Sequence, residues 1–223
     1  MLRLIARLTL VAVIAGCGGK KGEEQIACKM TKKEAEAIET KINTDAKEHK
    51  KKSDEHFGTD PTDFSKKQEG NASTFKQLFA GTMAYGVMQF MIIDFVAAFD
   101  SESVQKTIVY VFRGISSIIL LDMSSSRPFE TSEEKTKASE EIKRILIEHK
   151  LFELADCLMK NLRQATSSLN KNKYKNTLAA YSILEKLYSE FRDGKFDTLS
   201  KIEINKAKEE FDRLIDQAEL ESK

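Results

Sequence analysis

The chain predicts an all-α fold, a bundle of about six helices built around an apolar central hairpin. Three observations carry this. The 223 residues include only two prolines and no tryptophan, and they are rich in Lys, Glu, Ala, Leu and Ile, a mix that favours helix. No window alternates polar and apolar residues with the period of two that a half-buried strand needs. Apolar residues recur instead at helical spacing, in segments that open on capping patterns.

The elements follow in order. Residues 1–16 read as a cleaved signal peptide: Arg3 and Arg7 make a positive start, Leu8 to Ile14 is a short apolar run, and the small Ala15-Gly16 stand directly before Cys17. The run is too short to cross a bilayer stably. Residues 17–30, with Gly18-Gly19-Lys20-Lys21-Gly22-Glu23-Glu24, begin with nothing to bury and read as a flexible tether behind Cys17. Residues 31–223 then form the bundle domain.

Thr31-Lys32-Lys33-Glu34 has the spacing of a capping box, and Ala35, Ile38, Ile42, Ala46 and His49 continue as a thin stripe. A helix with so little to bury packs on the outside of a bundle or frays near Lys50-Lys51-Lys52. Residues 58–73, with Gly58, Asp60-Pro61 and Gly70, predict a loop. Phe75 to Phe99 and Val104 to Leu121 are then apolar on nearly every side, which suits either the centre of a bundle or a membrane-inserted hairpin. Asp94 and Arg113, with Gln89 and Lys106, weigh against the hydrocarbon, where each charge costs about 3 kcal/mol at the bilayer centre. Two central bundle helices are therefore expected.

Beyond Ser124-Ser125-Ser126-Arg127-Pro128, Thr131-Ser132-Glu133-Glu134 opens a helical face running through Ile142, Ile145, Leu146, Phe152, Leu158 and Leu162, with a break near His149-Lys150. Asn170-Lys171-Asn172-Lys173 is a polar turn. Leu178, Tyr181, Leu184 and Tyr188 mark the next helix, which Asp193-Gly194 stops. Ser200-Lys201-Ile202-Glu203 caps the last, where Ile204, Ala207, Phe211, Leu214 and Ala218 come close to heptad spacing.

Cys28 and Cys157 form an even pair in a chain read as exported. Bridged, they would close a loop worth on the order of 4 kcal/mol in the chain-entropy model. Unbridged, Cys157 is a small buried helix residue and Cys28 a tether thiol, and spacing alone does not choose.

Chemistry leaves little trace. There is no nucleophile elbow, phosphate loop or dinucleotide fingerprint. His49 and His56 stand two turns apart on one helix, too far to share a metal ion, and His149 suits a capping or surface role near a helix end. No catalytic residue, metal or cofactor is expected. The chain carries 36 basic and 35 acidic residues, and losing Arg3 and Arg7 with the signal peptide leaves 34 against 35. That balance argues against nucleic acid or an anionic membrane surface as the main partner.

Val13-Ile14-Ala15-Gly16-Cys17 resembles the lipobox of bacterial lipoproteins. The resemblance implies cleavage before Cys17 and lipid on its thiol and freed amino group, because several acyl chains make a lasting anchor where one does not. Gly18 is compatible with delivery to the outer membrane. With its charged tether and Lys/Glu-rich, Trp-free helical body, the layout also resembles the outer-surface lipoproteins of spirochaetes, some of which bind host complement regulators or matrix proteins. The expectation is an outer-membrane, surface-facing lipoprotein that binds a protein partner through helix faces or the 58–73 loop. The rival readings are a periplasm-facing scaffold, a membrane-inserting protein using residues 75–121, and a small-molecule binder using the apolar centre.

Overall fold

The computed structural model describes residues 28, 30–57, 72–125, 132–193 and 201–221. The signal peptide, Cys17, the tether as far as residue 27 and positions 58–71 of the expected loop lie outside the described residues. Within them the chain is all-helical, with seven helices and no strand: α1 (Lys32–Phe57), α2 (Ala72–Phe99), α3 (Val104–Ser125), α4 (Ser132–Glu148), α5 (Leu151–Ser167), α6 (Lys175–Asp193) and α7 (Lys201–Glu221).

The capping box forms at the start of α1. The Thr31 N–H and hydroxyl donate to Glu34 Oε2 at 2.6 and 2.9 Å, and the Glu34 N–H returns a bond to Thr31 Oγ1. Those bonds hold the Glu34 carboxyl below its ordinary range. α1 does not fray at its lysines: it continues to Phe57, with Lys50 paired to Asp54 and Lys51 to Glu55 one turn on. Ala35 and Ile42 are fully buried against α2.

α2 and α3 pack along each other as the expected hairpin, and every other helix meets one or both of them. Met88, Met91, Ile92 and Phe95 of α2 join Ile108, Val111 and Ile115 of α3 in the core. Gly114 lets them approach, because a Cβ there would overlap the Phe95 ring. α2 is not enclosed, however. Its outer side leaves Phe90 69% and Ile93 54% exposed. Asp94, half-buried beside them, has its carboxyl pushed up by burial and drawn back partly by the Arg113 guanidinium.

The break at His149-Lys150 divides one helical stripe into α4 and α5, which brings the described helices to seven. Lys150 takes the left-handed conformation at φ 56°, letting the chain turn while Leu154 N–H already donates to the Lys150 carbonyl. Cys28 and Cys157 are joined by a disulfide across 129 positions, their Cα atoms 5.0 Å apart, and this fastens the segment ahead of α1 to α5.

The polar turn at 170–173 is closed by Asn170 Oδ1, which accepts the Asn172 and Lys173 N–H groups. α6 and α7 pack as a second hairpin. Its open end is shut by Glu221, which accepts the Asn176 and Thr177 N–H groups and the Thr177 hydroxyl. Burial pushes the Glu221 carboxyl up, but these donors outweigh it and hold it below the usual range.

Candidate functional site: an oppositely charged groove and a buried histidine

Two places gather polar side chains. The first is a groove of about 980 Å³ between α3 and α7. Helical periodicity lines Lys106, Tyr110, Arg113 and Ser117 along its α3 wall and Lys208, Asp212, Asp216 and Glu219 along its α7 wall. Beneath them Phe112 and Phe211 stack face to face, ring centroids 3.7 Å apart, each at most 3% exposed. Val109 and Ile215 extend this floor.

The α3 wall is thus basic and the α7 wall mostly acidic. Among the described residues, no salt bridge runs across the groove from Lys106 or Arg113 to Asp212 or Asp216. Oppositely charged walls held apart over an apolar floor can receive a ligand that brings apolar surface for the floor and its own charges for each wall.

The second place lies where α1, α2 and α4 meet. His149 is 2% exposed, and each of its nitrogens has a hydrogen-bond partner: Nδ1 lies 2.9 Å from the Ile145 carbonyl oxygen and Nε2 3.0 Å from Asp45 Oδ2. The ring is therefore held from both sides, and the α4–α5 corner is tied to α1. Tyr85 presents an edge to it at 5.7 Å and packs on His49 at 5.2 Å. His49 Nε2 donates to the Leu78 carbonyl at 3.0 Å, and Gly81 makes room for its ring. With its hydrogen bonds complete and its ring packed on every side, this cluster is a structural tie between helices.

His149 is therefore not at the surface, as its charged neighbours Glu148 and Lys150 suggest, because its partner stands 104 positions away. Among the described residues, no three His, Cys, Asp or Glu side chains converge as a ligand set for a metal ion. Of the residues singled out in the sequence, Cys28 and Cys157 are brought together and Cys17 lies outside the described residues. The groove's acidic wall escapes a reading of sequence alone, since α7 is recognised by its apolar positions. Lys106 and Arg113 are the one available signal, as charges breaking an apolar run. No family model, curated protein or solved structure matches the chain.

Proposed function

We propose that the chain is a lipoprotein of the bacterial outer membrane, anchored through acyl chains on Cys17 and facing outward, that binds a protein partner in the α3/α7 groove. It acts by presenting a surface rather than by catalysis. The observation that supports this most is the groove itself: a basic wall and an acidic wall, unpaired with each other at Lys106, Arg113, Asp212 and Asp216, over an aromatic floor. Charge steering of this kind sets on-rate and register, while the half-buried Val109, Tyr110 and Ile215 offer the apolar contact.

Detergent-phase partitioning of wild type beside Cys17→Ala, with protease applied to intact cells, tests the anchor and the orientation. Only wild type should enter the detergent phase, and the protease should remove it. A protein that partitions but survives the protease is a periplasm-facing scaffold instead. For the groove, the double variant Lys106→Glu/Arg113→Glu should lose, without loss of helicity, a partner that wild type retains after cross-linking on cells. Retention of that partner would count against the groove.

Insertion of residues 75–121 into the membrane is a second reading with one observation in its favour. Leu78–Phe99 has the length and hydropathy of a span, and only 33% of its most apolar window is buried in the bundle. If Cys17→Ala still enters the detergent phase, this reading replaces the first.

A further inference from the structure

The exposed side of α2 is a continuous strip. Thr82, Gly86, Phe90, Ile93 and Ala97 recur every three or four residues, so they run along one side of the helix for about 22 Å. Among the described side chains of this helix, Phe90 and Ile93 are the most exposed large apolar residues. Gly86 opens onto empty space, since a Cβ added there meets nothing within 4 Å. Asp94, set against Arg113, is the only Asp, Glu, Lys, Arg or His between Leu78 and Phe99. The neighbouring Val87, Gln89 and Val96 carry no charge. A second helix docking here would find only the Asp94/Arg113 pair to fix its register, where charged flanks normally do so along their length, whereas a lipid surface needs no register.

Where the anchor enters the bundle points to the same occupant. Lys32 Nζ pairs with Asp100 Oδ2 at 2.7 Å, so the start of α1 sits at the end of α2 that carries Ile93 and Ala97. Cys28, four residues ahead of Lys32, is pinned to α5 by its disulfide. Cys28 lies eleven positions beyond Cys17, and a chain of that length spans at most about 40 Å. A lipid on Cys17 would keep this end of α2 permanently near the bilayer, where even a small apolar contact is occupied because its effective concentration is high.

We infer that the Thr82–Ala97 strip of α2 rests on the lipid surface of the membrane to which Cys17 anchors the chain, with Phe90 and Ile93 inserted among the acyl chains and Arg113 at headgroup level. The inference rests on the anchored reading above. It adds that the bundle has one orientation on the membrane, with α2 underneath.

Because the chain contains no tryptophan, a single introduced one reports on its own surroundings. The full, lipidated protein carrying Phe90→Trp is reconstituted in phosphatidylethanolamine/phosphatidylglycerol vesicles with and without bromine-labelled acyl chains. Ile93→Trp is made as a second probe, and Leu220→Trp, equally exposed on α7, as the reference. Flotation with the vesicles reads the anchor, and quenching by bromine reads the strip. The expected result is flotation of all three variants, with the probes at 90 and 93 shifted to the blue and most of their emission lost to brominated lipid, while the probe at 220 is unchanged. Flotation with no quenching at 90 or 93, or with equal quenching at 220, overturns the strip and leaves the anchor standing. Quenching at 90 by a second copy carrying an acceptor dye, and not by lipid, assigns the strip to self-association and also overturns it. A protein that stays at the bottom of the gradient overturns the anchor, and the strip falls with it.

Discussion

Asp45 and His149 show how a single contact can hold a corner of this bundle. The Asp45 side chain is 29% exposed while the His149 side chain is fully buried, so removing the carboxylate leaves a buried imidazole nitrogen without its hydrogen-bond partner. Asp45→Ala should cost about 1–3 kcal/mol, toward the lower end because water can reach the vacated position. Urea unfolding reads it as a lower midpoint at unchanged slope, and a midpoint equal to wild type would mean that the contact carries no net stability. The two caps at this scale differ in how readable they are. Thr31 and Glu34 stand three positions apart, so their reciprocal bonds can be foreseen from the sequence. Glu221 caps α6 from 44 and 45 positions away, and nothing in its neighbours announces that.

At the scale of elements, the α4–α5 junction carries a local cost. Lys150 holds φ 56°, and a Cβ in the left-handed region costs about 1–2 kcal/mol. Lys150→Gly removes that cost at the expense of a more flexible unfolded chain, so a gain of about 1 kcal/mol or slightly less is expected. A thermal midpoint a few degrees higher is the measurement, and a lower one would show that the lysine side chain matters more than its backbone strain. That a break falls here is legible in the sequence, where the apolar stripe pauses at His149-Lys150, but its backbone conformation is not. The orientation of α2 is illegible for another reason. When nearly every position is apolar, periodicity no longer distinguishes inside from outside, so Phe90 and Ile93 read as core residues beside Met91 and Phe95. Likewise Lys106 and Arg113 stand out within their apolar run, but only the packing of α7 against α3 sets Asp212 and Asp216 opposite them.

Considered whole, the bundle is one core in which every other helix touches α2, α3 or both, crossed by a single covalent link from residue 28 to α5. Cutting that link frees a very long loop, so replacing Cys28 and Cys157 together by serine should lower stability by about 4 kcal/mol if the chain-entropy account holds. Denaturant unfolding of the double variant beside wild type measures it, and a loss below about 1 kcal/mol would mean that the reduced chain already keeps the two segments together. Composition and capping patterns are enough to anticipate the all-helical architecture, because local propensity and the observed fold agree along most of the chain.

The link also orders events in time. If the chain is exported from its N-terminus as proposed, Cys28 is the first of the bridged pair to reach the oxidising side and waits while 129 further positions follow. Through that interval its thiol waits for Cys157, the partner it has in the folded chain. It is open to mixed disulfides with small thiols or oxidoreductases until α5 arrives. α6 and α7 arrive later still and lie outside the covalent loop, so the second hairpin must dock onto a core whose ends are already fastened.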